Sequence, residues 1–417
     1  MKIQEGVDLH FIETDKFTTN RITVRFAAAM DQVTVAGRVL VANLLEIGNQ
    51  DFPTAHALKR RLASLYGARL STSLTKKGKV HIVDVTVSYL HSDHLPRGED
   101  VTDAVLDVLF SSLFSPLVVG TSFDSSVFAV EKENLIRYLE SEVEDHFYHA
   151  DVEMARLFFT DPHLQVPKVA TVDLVKKETA ATAYQAWQRM LRLDKLDIFV
   201  VGRVDQEKLA RRFQAHGFTY RKPLLEFTYR QDFSPILREK SERKPANQSI
   251  LELGYSLQSI YRDVNYFSTI VFNGLLGAFS HSKLFAQIRE KEGLAYTIGS
   301  QWNDLTGLLT VYAGIDKEEK IRVMKQVSKH LLALKQGHFT ENELAVTKES
   351  LLHAATLAQD SPAHLIEQVY QQQVLCGDYL TWTQWKEGIQ SVSREDIVRA
   401  VKGLRLQAVY FLEGERI

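Results

Sequence analysis

The sequence predicts an α+β fold of two homologous lobes, each a mixed, mainly antiparallel sheet backed by helices. Three observations lead there. Stretches with strand-like alternation come in adjacent pairs joined by short turns. Amphipathic helical stretches follow each pair. The whole order then restarts near the middle of the chain, which is the mark of an internal repeat.

In chain order, residues 7–12 and 20–28 read as strands, the second alternating through Ile22, Val24 and Phe26. A helix over about 34–47 carries Val39, Leu40, Leu44 and Ile47 on one stripe, with Gly48 beyond its end. A second helix begins at Pro53, carries Leu58, Leu62 and Leu65, and stops at Tyr66-Gly67. Strands over 68–75 and 79–89 flank a Lys76-Lys77-Gly78 turn. Helices are expected at 100–114, through 123–159 as one long helical region, at 174–191 and at 206–213, with a short strand at 197–201 closed by Gly202. The restart begins with a strand at 249–254, helices at 264–279 and 282–292, and a hairpin of 294–302 with 308–315. Helices at 317–335, 340–358, 363–376 and 394–402 and a strand at 408–412 complete it.

The repeat shows residue by residue. Leu58, Leu62 and Gly67 have the spacing of Leu284, Ile288 and Gly293, and Phe199-Val200-Val201-Gly202 matches Phe411-Leu412-Glu413-Gly414 as a closing strand. The lobes are expected at 1–215 and 247–417, each of about 200 residues. The linker is placed at 216–246, where Pro223, Pro235, Pro245 and many charges gather.

Composition excludes several function classes. A formal net charge of -2 offers no basic field for nucleic acid and no polybasic membrane anchor. No apolar run approaches the 18 or so residues of a membrane span, and the first residues are polar and alternating rather than a signal peptide. The single cysteine, Cys376, rules out an internal disulfide and reads as a small core hydrophobe, in keeping with a cytoplasmic protein.

The stretch 282–300 holds the chemistry. Leu284, Phe285 and Ile288 recur at helical spacing, Gly293 stops the helix, and Leu294, Tyr296, Ile298 and Ser300 alternate as a strand. Arg289 and Tyr296 thus flank one turn. A rigid fork of donors beside a phenol suits the carbonyls of an extended peptide, or an oxyanion formed from one. The commoner roles of such residues are a solvated helix arginine and a core tyrosine.

The segment LFAQIREKEGLAY resembles the C-terminal signature of the insulinase, pitrilysin and mitochondrial processing peptidase family, matching at Leu284, Arg289, Glu290, Lys291, Gly293, Leu294, Ala295 and Tyr296. The resemblance covers nearly the whole chain and implies a processing-peptidase-like clamshell half. It assigns Arg289 and Tyr296 to substrate binding opposite a zinc site. The family's zinc signature is His-x-x-Glu-His on an early helix, two imidazoles on one face beside a general-base glutamate. That signature is absent from all 417 residues. Aligning Gly48-Asn49 with the family's Gly-Thr puts Val39, Ala42 and Asn43 at the His, Glu and His positions, where neither ligand set nor base survives. Glu133 and Glu140 stand on the segment that resembles the family's third-ligand helix, and spacing does not choose between them. Two histidine pairs, His91/His94 and His146/His149, have i and i+3 spacing that permits a shared ligand face, although solvated surface pairs are commoner.

The resemblance therefore implies a non-catalytic subunit with no cofactor of its own. Zinc is expected in a His-x-x-Glu-His sibling, with this chain pairing with that sibling or with itself, and with peptide as the substrate. The alternative is a pseudo-peptidase scaffold that binds peptide or supports an assembly without a catalytic partner.

Overall fold

The computed structural model describes residues 1–142, 144–375 and 380–415. Cys376 lies outside them. The chain divides into two compact units: Met1–Ser141, Val166–Glu226 and Asp360–Val374 form the first, and Glu142–Gln165, Phe227–Gln359 and Leu375–Ile417 the second. Both draw on non-adjacent stretches of sequence.

The first unit holds β1 (Lys2–Gln4), β2 (Val7–Ile12), β3 (Thr19–Ala29), β4 (Arg69–Lys77), β5 (Val80–Leu90), a small ribbon of β6 (Val118–Val119) and β7 (Ser122–Phe123), and β8 (Lys195–Val201). Its helices are α1 (Val35–Ile47), α2 (Ala55–Ser64), α3 (Thr102–Phe114) and α4 (Ser125–Glu142). Beyond α5 (His146–Phe158) and α6 (Pro162–Gln165), which pack in the second unit, come α7 (Val172–Lys177), α8 (Ala180–Leu193) and α9 (Gln206–Gln214). The six-stranded sheet runs β1-β2-β8-β3-β5-β4, antiparallel except where β2 pairs with β8. Alternation decides its faces. Ile22, Val24 and Phe26 of β3 and Val83, Val85 and Val87 of β5 are buried on the side that α1, α3 and α8 cover.

The second unit holds β9 (Arg238–Pro245), β10 (Ser249–Ser256), β11 (Thr297–Trp302), β12 (Leu308–Ile315) and β13 (Arg405–Glu415). Its later helices are α10 (Tyr266–Asn273), α11 (Lys320–Lys335), α12 (Glu341–Ala358), α14 (Trp382–Ser391) and α15 (Arg394–Val401); α13 (Pro362–Tyr370) belongs to the first unit. The sheet order is β11-β12-β10-β13-β9, with one parallel pair, β13 with β9. Leu251, Leu253, Val311, Ala313, Val409 and Phe411 join Phe272, Val323, Val327 and Ile397 in its main core.

The two sheets repeat one topology. β2, β8, β3, β5 and β4 correspond in order to β9, β13, β10, β12 and β11. The repeated helix stops also hold: Leu58, Leu62, Leu284 and Ile288 are buried, and Gly67 and Gly293 take φ of 78° and 62°, where a side chain would be strained.

Several boundaries differ from expectation. The region 123–159 is two helices, because the Asp145 carboxylate accepts from the backbone N–H groups of Phe147 and Tyr148 and starts α5 afresh. The stretch 216–246 contains β9, whose inward side chains are charged rather than apolar. A helix at Trp382–Ser391 also escaped notice, although Thr381 and Gln384 form its capping box.

Candidate functional site

The degenerate zinc positions lie on α1. Val39 and Ala42 are almost wholly buried, and Val39 and Asn43, one turn apart, line a cavity of about 440 Å³ in the first unit. Thr72, Ser73 and Leu74 of the edge strand β4 form another wall, with Asn134, Leu135 and Tyr138 of α4 and then Lys168 and Val169. Glu46 fixes the edge by accepting from the Thr72 hydroxyl at 2.6 Å and from the Thr72 backbone N–H. Neither Glu133 nor Glu140 is among the lining residues. Both are exposed, and Glu133 lies 3.8 Å from Arg137.

Beneath this helix, Arg38 is buried against β5. It donates from Nε to His81 Nδ1 at 3.0 Å, from one terminal nitrogen to the Phe26 and His81 carbonyls, and from the other to Asp194. His81 Nε2 lies 2.9 Å from the Lys168 carbonyl. Burial first, then the neighbouring Arg38 cation, push the His81 imidazole down to about 3. The ring stays neutral with both nitrogens engaged, so it braces the helix and is not open to a metal.

A divalent zinc site needs nitrogen, thiolate or carboxylate ligands. The cavity offers amides, hydroxyls, a phenol, apolar groups and the Lys168 ammonium instead. These residues do not fit zinc. Among the described residues, no group of three or more His, Cys, Asp or Glu side chains is placed to hold a metal ion. Three of the four paired histidines are engaged: His149 bonds Glu242, His146 Nε2 lies 3.2 Å from the Pro245 carbonyl, and His91 Nδ1 is 3.5 Å from Asp93.

Arg289 and Tyr296 stand in the second unit. The stretch expected as an α-helix over 282–292 widens into a π-helical turn, Phe285–Lys291, in which the Glu292 N–H bonds the Gln287 carbonyl five residues back. Such turns gather at functional sites. Ile288 anchors it in the core, while Arg289 is partly exposed, its guanidinium carbon 4.6 Å from the centre of the Phe285 ring. The strand begins only at Thr297, so Tyr296 does not share the buried face of Leu294 and Ile298. It is 57% exposed, its hydroxyl 3.1 Å from both Asp316 carboxylate oxygens. The Arg289 guanidinium over the Phe285 ring and the Tyr296 phenol beside Asp316 both stand at the surface of this unit.

A family profile described as Peptidase M16 inactive domain matches residues 177–351. The chain belongs to the M16 peptidase family and, lacking His-x-x-Glu-His, is an inactive member of it. Among its relatives, the probable inactive metalloprotease YmfF of Bacillus subtilis is 28% identical over 98% of this chain and 96% of its own length. An uncharacterized zinc protease of the same organism, YmxG, is 26% identical over 38% of this chain and 39% of its own. The crystal structure of a conserved protein from Enterococcus faecalis superposes with a TM-score of 0.94 at 34% identity, covering 100% of this chain and 98% of that one. That of a peptidase M16 inactive domain from Pseudomonas fluorescens gives 0.78 at 15% identity, covering 98% and 96%, a likeness of fold.

Proposed function

We propose that this chain is the non-catalytic, substrate-binding subunit of a zinc peptidase, acting in the cytoplasm on peptides or unfolded segments. Its partner is a sibling chain carrying His-x-x-Glu-His and the zinc. Arg289 and Tyr296 are offered to that partner's site, where a guanidinium fork and a phenol orient peptide carbonyls and stabilise a developing oxyanion. One observation carries the reading: the first unit's cavity is lined by no zinc-ligand type, while the second unit keeps Arg289 exposed on a π-helical turn and Tyr296 exposed just before the strand that follows. The edge position of β4 beside the cavity adds support, since an edge strand offers backbone groups to an extended peptide.

The test is substitution within a reconstituted pair. Arg289→Ala and Tyr296→Phe each lower peptide turnover by about 100–1,000-fold, in the range of one lost transition-state donor, and leave assembly intact by gel filtration. Unchanged turnover in both variants would remove the proposed role and favour a scaffold.

A further inference from the structure

The cavity beside α1 carries charge of one sign. No acidic side chain lines it, and Lys168 is the one cation among its lining residues. The carboxylates bonded to its walls are occupied: Glu46 accepts from Thr72, and Glu131 accepts from the Asn134 amide at 3.2 Å. Lys168 itself makes no ion pair, and its ammonium donates no hydrogen bond, among the described residues. A cation left without a counter-charge at a cavity wall favours an anionic ligand.

The loop that presents Lys168 is tied down along its length. The Lys76 ammonium donates to the Val166 carbonyl at 2.7 Å, His81 Nε2 to the Lys168 carbonyl at 2.9 Å, and the Ala170 N–H to the Pro167 carbonyl at 3.1 Å. Val166, Val169 and Ala170 are buried, and Ala170 holds a φ of 67°, a left-handed conformation that strains any residue with a side chain. Within 166–170 only Lys168 is exposed. An anchored, strained loop thus sets one ammonium at the cavity. On the α1 wall, the Asn43 amide makes no hydrogen bond among the described residues. An ammonium and an amide N–H together suit the two oxygens of a carboxylate.

We propose, building on the peptide-binding reading above, that this cavity is a carboxylate subsite: Lys168 and Asn43 hold a carboxylate of an extended peptide lying along β4. The strand ends its sheet, so a chain laid beside it meets no competing strand. Every second side chain of that peptide then falls on the sheet face of Thr72 and Leu74, the face that borders the cavity. An acidic side chain there, or a terminal carboxylate, supplies the charge that the cavity walls lack. Because Lys168 is exposed, the attraction is modest and salt weakens it.

The experiment is fluorescence anisotropy of short dye-labelled peptides with the purified full chain at low salt. Three are blocked at both ends and differ only in a central Glu, Gln or Lys; a fourth is the Gln peptide with a free terminal carboxylate. A carboxylate peptide binds about 5–10-fold tighter than the blocked Gln peptide, the Lys peptide binds more weakly, and added salt narrows the difference. Preference for the central Glu names a side chain as the source, and preference for the free end names the terminus. Lys168→Met brings the carboxylate peptide to the affinity of the blocked Gln peptide, whereas Lys168→Arg keeps the preference. Equal affinity for carboxylate and Gln peptides, or a preference undiminished in Lys168→Met, overturns the subsite and leaves the peptide-binding reading standing. Failure of every peptide to bind overturns both.

Discussion

The outer faces of the two sheets solve one problem with opposite charges. In the first, a row of cross-strand neighbours runs Asp8, Asp197, Arg25, Asp84 and Ser73. In the second, the corresponding row runs Lys240, Tyr410, Glu252, Tyr312 and Gly299. The central residue is Arg25 in one and Glu252 in the other. Each is covered by a helix from the other half of the chain, α13 on the first sheet and α5 on the second. Arg25 donates Nε to Asp84 at 2.8 Å and a terminal nitrogen to its other oxygen at 2.7 Å, bonds Glu367 of α13, and lies 4.4 Å from the centre of the Tyr370 ring. Burial alone would lower its proton affinity, and the two carboxylates outweigh that. The duplicated backbone thus fixes where a buried polar contact stands, while its sign is left to the local partners. A cation with two carboxylates makes an ionic seat around Arg25, whereas Glu252 stands between two cross-strand tyrosines and burial holds its carboxyl well above the usual range.

The comparison breaks hardest at its ionic centre. Arg25→Met leaves Asp84 and Glu367 buried without their cation and costs about 3–5 kcal/mol by urea denaturation. A loss below about 1 kcal/mol would mean that α13 does not rest on this pair. Gly254→Val comes next, since a branched side chain meets Met154 and Phe158; it destabilises the second unit by about 1–3 kcal/mol in the same assay. An equally large loss at a glycine with room and ordinary backbone angles, such as Gly403, would show that close packing is not the cause. Glu367→Gln sharpens the contrast in pH. Burial opposes it, but Arg25 and Lys77 hold Glu367 below its usual value, so its contribution is present above the ordinary carboxylate range and lost as pH falls through the folded value. The variant costs about 1 kcal/mol at neutral pH and flattens the acid limb of the stability profile. The smallest stability effect belongs to Arg289→Ala and Tyr296→Phe, within about 0.5 kcal/mol of the parent by thermal unfolding, because both residues are exposed.

Sequence alternation exposed the sheet cores because Ile22, Val24, Phe26 and their repeat counterparts obey the strand period with apolar side chains. The helix stops at Gly67 and Gly293 were equally legible, since only glycine takes that conformation freely. Strand β9 was hidden because its alternation is one of charge: Lys240, Glu242 and Lys244 turn inward, each matched to a partner that sequence cannot reveal. The break before α5 did carry a signal, Asp145 as an N-cap, but no glycine or proline marked it. At the candidate site, the missing zinc motif was plain in the sequence. The cavity wall of Asn134, Leu135 and Tyr138 was not, because which face of α4 meets α1 is a matter of packing.

The central claim is that this chain contributes to peptide hydrolysis without a metal of its own. The direct measurement is zinc content and peptide turnover of the purified chain, alone and mixed with its His-x-x-Glu-His sibling. The account predicts no zinc and no turnover alone, and chelator-sensitive turnover in the mixture above that of the sibling by itself. Bound zinc with chelator-sensitive turnover by this chain alone, or a mixture no more active than the sibling, would contradict it.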